Sequence, residues 1–382
     1  MKIAMYWHNG RSLGHTSEVA KISKGLSEKL PNVKLLGVTG AFKGLDMVSK
    51  DMEIVKVPGF ENFDTEDGLI FKNKFGVSRN ELFDIRSKII NIAINAYQPN
   101  FFLVNHEPYG LDGELKQTLL DLKNCKKILT LRGVIYGAEE TNFDYFSKET
   151  AEWINETYES ILVHTDPEVF NLEEYYDIPK FLHNKIHYVG YLDTQSNVSK
   201  NDARKALGLE NEERVFVSSM GGGQGCIKIW EQIVNAIKKN MHLWDKVILI
   251  TGPYLEQKDY VRLCEAVKQE SKVQVLRYSS NMKNWMKASN LFIGAAGANM
   301  LTEILSTQCN SIVIPRQISE SEQLIHAGLL EKRKAVRMCT LEDIYQGKLD
   351  KMVREAMLSP INIENVNIKM GGANNYYKYL RL

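Results

Sequence analysis

Cysteine is thin in this chain of 382 residues: Cys125, Cys226, Cys264, Cys309 and Cys339 make an odd number with no Cys-x-x-Cys pair. That usage excludes a disulfide frame or a zinc ribbon and fits reduced thiols. An excess of one charge is missing too, since 48 basic against 47 acidic side chains leave a net charge of +1. No global field therefore draws the protein to nucleic acid or anionic lipid. No apolar run approaches the roughly 20 residues that span a bilayer. Met1-Lys2-Ile3-Ala4 leads straight into a strand pattern, without the character of a signal peptide. Together these absences predict a cytoplasmic protein with a small or local partner, no nucleic acid, and at most peripheral membrane contact. Asp-x-Asp is also absent. The usual carboxylate pair for a Mg²⁺ or Mn²⁺ diphosphate clamp is then missing, and no metal site is expected.

The length suits two domains of roughly 150–200 residues. Strand patterns at Ile3 to Trp7, Val33 to Val38, Glu53 to Val57, Phe101 to Asn105, Lys127 to Leu131 and Ile161 to Thr165 alternate with helical patterns, predicting one parallel-sheet domain over 1–193. After the polar stretch Asp193 to Ser199, a second set begins at Val215, Val247, Val273, Leu291, Ser311 and Ala335, predicting a second domain over 194–362. Helical stripes such as Val19, Ile22, Leu26 and Leu30, or Ile229, Ile233, Val234 and Ile237, are core faces. Residues 363–382 are expected to form a final helix packed by its tyrosines.

Chemistry concentrates in three strand-to-helix turns of the second half. Gly221-Gly222-Gly223-Gln224-Gly225 follows Val215 to Ser219, Gly297-Ala298 with Glu303 follows Leu291 to Ile293, and Pro315 with Glu322-Gln323 follows Ile312. All three fall at the carboxyl edge of one parallel sheet, where open α/β sheets bind ligands. The glycine loop removes Cβ atoms where backbone must approach an oxyanion, and the next helix points free N–H groups there. Its spacing satisfies neither GxGxxG nor GxxxxGK[ST], and no acidic residue closes Val38-Thr39-Gly40 to hold an NAD ribose. A flexible turn is the plainer alternative. Glu303 can accept two hydrogen bonds from a ribose diol, or can simply be a first-turn carboxylate favoured by the helix dipole. Glu322-Gln323 can bind sugar hydroxyls or begin a solvated helix.

In the first half, His15 follows Gly14 between the first strand and first helix. A helix N-terminus lowers an imidazole pKa and keeps the ring neutral, which suits a general base, although a lone loop histidine is more often structural. His106-Glu107 closes the fourth strand and lacks the second histidine of HExxH, so a zinc-protease reading fails. His106, Glu107 and Arg132 are acceptor-side candidates. The segment Phe60 to Arg79, with Phe71, Lys72, Lys74 and Phe75, reads equally as a lid that recognises an anionic acceptor and as a surface loop.

These motifs resemble the GT-B glycosyltransferases, and most specifically the family of N-acetylglucosaminyltransferases that complete the lipid-linked peptidoglycan precursor. Gly222-Gly223-Gln224-Gly225 is similar to that family's GGSQG loop, with Gly in place of Ser. Tyr278-Ser279-Ser280-Asn281-Met282 stands where the family reads uracil, so Tyr278, Ser279 and Met282 join the nucleotide-site candidates. Gly297-Ala298 and Glu303 match its GA segment and ribose-binding Glu, and Glu322-Gln323 matches a Gln-Gln pair at the donor sugar. Gly14-His15 matches the end of its GGTGGH loop. The first half departs from it: Gly10-Arg11-Ser12-Leu13 replaces GGT, and Leu103 to Leu115, Ile161 to Pro167 and His187 to Leu192 look instead like a group of predicted glycosyltransferases.

The resemblance implies an α/β GT-B fold of two Rossmann-like parallel-sheet domains facing a central cleft, with the acceptor on the N-terminal side. It also implies inverting transfer of a sugar, a hexosamine such as GlcNAc, from a UDP-sugar to a hydroxyl or amine of a small molecule or glycan. No cofactor is expected beyond the UDP-sugar co-substrate. A UDP-sugar hydrolase of the same fold and a noncatalytic nucleotide-sugar-binding subunit are the alternatives.

Overall fold

The computed structural model describes the chain apart from residues 9–12, 43, 66–67, 317–321, 364–365 and 381–382, and apart from the side chains of residues 61–70. It divides into two compact units, Met1–Thr194 with Lys369–Leu382, and Gln195–Ile368.

The first unit is built on strands β1 (Lys2–Trp7), β2 (Lys34–Thr39), β3 (Met52–Lys56), β4 (Phe60–Thr65), β5 (Gly68–Asn73), β6 (Phe101–Asn105), β7 (Lys126–Arg132), β8 (Ser160–His164) and β9 (Ile186–Tyr188). Among the described residues, seven of them form one sheet in the order β3-β2-β1-β6-β7-β8-β9, every pairing parallel. Ile3 to Trp7 and Phe101 to Asn105 are buried throughout, as strands covered on both faces require. All six strand patterns read in this half form strands, and β9 adds one that the sequence did not signal. Within the segment Phe60 to Arg79, read as a lid or a loop, β4 and β5 pair antiparallel, with Phe60 opposite Asn73.

The second unit carries β10 (Val215–Ser219), β11 (Lys246–Ile250), β12 (Val273–Leu276), β13 (Leu291–Ala295), β14 (Ser311–Ile314) and β15 (Arg337–Met338), in the order β12-β11-β10-β13-β14-β15 and again parallel. The strand expected from Ala335 shrinks to two residues. Trp230, Trp244 and Phe216 are fully buried and centre the core, and the expected stripe Ile229, Ile233, Val234 and Ile237 packs into it from the helix Ile227–Lys239.

Within the tail expected to be helical over 363–382, Gly372 to Tyr379 are helical and residues 366–371 are not. It belongs to the first unit. Gly371 N–H donates to Asp193 O, Gly372 N–H to Tyr191 O and Ala373 N–H to Leu192 O, while Tyr376 enters the core beside Trp7 and Leu26. A Cβ on Gly25 would lie 2.6 Å from Ala373 O, so a glycine is what lets the helix Gly14–Lys29 meet the tail.

Each sheet reverses its strand order once beside its first strand, between β1 and β6 and between β10 and β13. Such switch points open a crevice at the carboxyl ends of the strands. His8, Asn105 and His106 leave the first; Gly221 to Gly225 and Gly297 leave the second. Among the described residues no helix is long and apolar enough to cross a membrane.

Candidate functional site

In the first unit, adjacent strands deliver polar side chains to one edge. Asn105 ends β6, Arg132 ends β7, His164 ends β8, and His8 follows β1. The helix Gly14–Lys29 starts above them, held to β1 by a 3.0 Å bond from Trp7 Nε1 to Thr16 Oγ1. Its second residue, His15, places Nδ1 2.6 Å from Asn105 Oδ1. Asn105 Nδ2 donates to Glu18 Oε2 at 3.1 Å and to Thr130 Oγ1 at 3.3 Å. Arg132 Nε donates to Glu18 Oε1 at 2.5 Å, and the Arg132 backbone N–H to His106 Nε2 at 3.2 Å. The His15 ring lies 4.5 Å from that of His8 and 5.1 Å from that of His106, centroid to centroid. His106 has a φ of 67°, and its carbonyl accepts from the Tyr145 hydroxyl. His164 Nε2 meets the Tyr376 hydroxyl.

Burial dominates the electrostatics here. It holds His15 down to about 3, with Arg132 adding to the shift, and His164 down to about 4; His8 and His106 lie well below the usual imidazole value for the same reason. Burial alone would raise Glu18, but the guanidinium of Arg132 overrides it and keeps the carboxylate ionised far below its ordinary range. Glu107 moves the other way, up to about 7, through burial and then the charge of Asp112.

One nitrogen each of His15 and His106 and a Glu18 oxygen lie within 4.8 Å of one another, close enough for three ligands of one metal ion. The atoms that approach one another, His15 Nδ1, His106 Nε2 and the Glu18 carboxylate, are engaged otherwise. His106 Nε2 accepts the Arg132 N–H, His15 Nδ1 faces Asn105, and Glu18 is bonded to a guanidinium. A cation would have to displace all three arrangements next to a fixed positive charge, so the donor set does not fit a metal as it stands. Gly10 to Gly14 also has the Gly-x-Ser-x-Gly spacing of a nucleophile elbow. Its Ser12, like Gly10 and Arg11, lies outside the described residues.

In the second unit the glycine loop interlocks with the turn after β11. Gly223 has a φ of 86°, and a Cβ there would sit 2.1 Å from Thr251 O; Gly252 has a φ of 90° and would clash with Gly221 O at 2.2 Å. Tyr254 N–H donates to Gly222 O at 2.9 Å. Beside Gly221, Gly225 and Gly297 a Cβ would meet no protein atom within 4 Å, so open space flanks both turns. The helices that follow, Ile227–Lys239 and Ala298–Thr307, begin at Cys226 and Gly297 without a side-chain cap. Arg316 links the third turn to the first: Nη1 donates to Gln224 O at 3.3 Å, and its backbone N–H to Gln323 Oε1 at 3.0 Å. Its Nε is buried and, among the described residues, has no hydrogen-bond partner.

The structure thus brings Gln224 and Gln323 together through Arg316 and sets Gly222, Gly223, Gly297 and Ala298 on neighbouring turns. Glu303 lies in the second turn of its helix, not the first, so the dipole explanation offered for it fails. Glu322 opens the helix Glu322–Lys332. Tyr278 is 69% exposed after β12. The Ser279 hydroxyl accepts from Asn281 N–H and Trp285 Nε1, and Met282 begins a short helix. Sequence reasoning missed Glu18, Asn105, Gly252 and Arg316. Glu18 alone had a local signal, standing three residues after His15 on one helix face.

Residues 215–375 match the glycosyltransferase family 28 C-terminal domain. A protein of Thermoanaerobacter sp. (strain X514), UDP-N-acetylglucosamine–N-acetylmuramyl-(pentapeptide) pyrophosphoryl-undecaprenol N-acetylglucosamine transferase, is 29% identical over 198 residues, 48% of this chain and 52% of that protein. The chain therefore spans about half the length of the curated relatives it matches. Acinetobacter baumannii MurG superposes with a TM-score of 0.60 at 12% identity, over 98% of this chain and 95% of that one. A UDP-GlcNAc 2-epimerase from Neisseria meningitidis, bound to UDP-GlcNAc, gives 0.57 at 12% identity over 99% of both chains. At such identities the likeness is one of fold. The fold is GT-B, with two Rossmann-like parallel-sheet units, and residues 215–375 are similar to the glycosyltransferase family 28 C-terminal domain.

Proposed function

We propose that this chain is an inverting, metal-independent glycosyltransferase that moves a sugar, a hexosamine such as GlcNAc, from UDP to a hydroxyl or amine. The observation that carries the reading is the second unit's switch point, where two helix N-termini without side-chain caps face open space and Arg316 stands beside the glycine loop.

The backbone at Gly222, Gly223 and Gln224 and at Gly297 and Ala298 would hold the diphosphate, with Arg316 supplying the positive charge that a divalent ion supplies elsewhere. Its orphan Nε–H supports this role, since a buried donor without a partner costs about 1–3 kcal/mol until something accepts from it. Glu303 takes the ribose hydroxyls, Tyr278, Ser279 and Met282 the base, and Glu322 and Gln323 the sugar. In the transfer, the acceptor oxygen or nitrogen bonds to the anomeric carbon from the face opposite the phosphate. The bond to phosphate oxygen breaks, its electron pair leaves with UDP, and the acceptor proton passes to neutral His15. His106, Glu107 and Arg132 orient the acceptor. Glu107 fits this role because it is populated in both protonation states near neutral pH.

A panel of nucleotide sugars tests the reading, each assayed for binding and for UDP release with and without a cell extract as acceptor source. Acceptor-dependent UDP release supports transfer. Free sugar formed without acceptor marks a UDP-sugar hydrolase, binding without turnover marks a noncatalytic subunit, and no binding by any UDP-sugar overturns the donor site.

A further inference from the structure

We infer that Glu18 and Asn105 together fix which ring nitrogen of His15 carries the proton, leaving Nε2 as the free lone pair. The deduction starts from Glu18, which Arg132 keeps ionised and which can then only accept hydrogen bonds. The Asn105 atom 3.1 Å from it must be the amide nitrogen. Thr130 Oγ1, 3.3 Å from that nitrogen, is an acceptor consistent with this orientation. The other Asn105 atom is therefore the carbonyl oxygen, which also can only accept. Nδ1 of His15, 2.6 Å away, has to donate to it. A neutral imidazole carries one N–H, so Nε2 is bare. Among the described residues Nε2 has no hydrogen-bond partner, and the His15 side chain keeps 17% of its surface exposed.

Asn105 is thus a positioning residue and Glu18 its orienter, in an order of carboxylate, amide and imidazole. An amide in the middle differs physically from a carboxylate touching the ring. It dictates the tautomer as firmly but lends no full negative charge to the imidazolium that forms; burial and the charge of Arg132 are what keep the ring neutral to low pH. Of the groups facing His15, the Glu18 carboxylate 4.0 Å from Nδ1 favours the charged ring, but burial and Arg132 outweigh it, and His8 and His106 are themselves held neutral. The catalytic meaning of the lock rests on His15 being the base, whereas the tautomer does not.

The test is nuclear magnetic resonance of the full chain labelled with ¹⁵N-histidine at pH 7, with the His15 ring assigned from the spectrum of His15→Gln. A protonated Nδ1 and bare Nε2 are expected in the wild type. Asn105→Ala should shift population to the Nε2–H form, and Asn105→Asp, which still offers an acceptor, should restore Nδ1–H. A wild-type ring protonated at Nε2, or an Asn105→Ala ring as fully Nδ1–H as the wild type, overturns the inference. Because the wild-type spectrum alone can do so, a variant that fails to fold does not shield it. In turnover, Asn105→Ala should lower kcat by roughly 10- to 1000-fold with UDP affinity unchanged. Normal turnover by His15→Ala alongside an Nδ1–H wild-type ring would remove the base assignment and leave the lock standing.

Discussion

Arg132 reaches Glu18 through a 2.5 Å hydrogen bond from Nε to Oε1, tying the end of β7 to the second turn of the helix Gly14–Lys29. The side chains are 20% and 4% exposed, so the pair is largely desolvated. Removing one partner from such a pair is costly because the other charge stays buried. Arg132→Met should therefore destabilise the first unit by about 3 kcal/mol in urea titration, the low end of the range for buried pairs. The double variant with Glu18→Leu should lose less than the single one; an equal or larger loss would mean that the pair itself contributes net stability.

His15→Ala should lower kcat by roughly 10²–10⁴ and leave UDP affinity unchanged, because proton transfer counts only in the transition state. With the ring held down to about 3, the profile of kcat/KM against pH should show no histidine inflection near 6.5. Glu107, pushed up to about 7, should instead give a step there that vanishes in Glu107→Gln.

Glu303→Ala should weaken UDP by roughly ten- to a hundredfold, the equivalent of one charge-assisted hydrogen bond of about 1.5–3 kcal/mol. Calorimetry that finds equal affinity in a folded variant removes the ribose role.

Arg316→Ala should cost a similar factor for UDP and little for uridine, since its partner is the diphosphate. EDTA should leave turnover nearly unchanged. Loss of activity restored by Mn²⁺ would instead assign the charge compensation to a metal.

Acid should unfold the first unit before the second. His8, His15, His106 and His164 all have folded values below the unfolded 6.5. Between 6.5 and those values the unfolded chain binds more protons, so stability present above pH 6.5 is lost as pH falls. The slope is about 1.4 kcal/mol per pH unit for each histidine. Hydrogen exchange resolved by segment at pH 7 and pH 5 should show protection falling first around β1, β6, β7 and β8.

Periodicity made the sheets legible, because strands buried on both faces announce themselves as short apolar runs. Glycines made the turns of the second unit legible in the same way. The hairpin β4–β5 was not, since its residues carry no core stripe that the main sheet requires. Glu18 to Asn105 and Gln224 to Arg316 span 87 and 92 positions. Only the strand order, which sequence does not print, makes those residues neighbours. The low proton affinity of His15 was anticipated from the helix N-terminus, but its extent comes from burial and Arg132.

The return of Lys369–Leu382 to the first unit has a consequence for biosynthesis. Ribosomal synthesis delivers the second unit as one uninterrupted segment, ready to fold while the chain is still being extended. The first unit emerges earlier but waits for Tyr376 to close its core and cap His164. Until the codons for this tail are read, a hydrophobic face beside the helix Gly14–Lys29 stays uncovered. A ribosome stalled short of them would present an incomplete first unit to chaperones and proteases beside a finished second one.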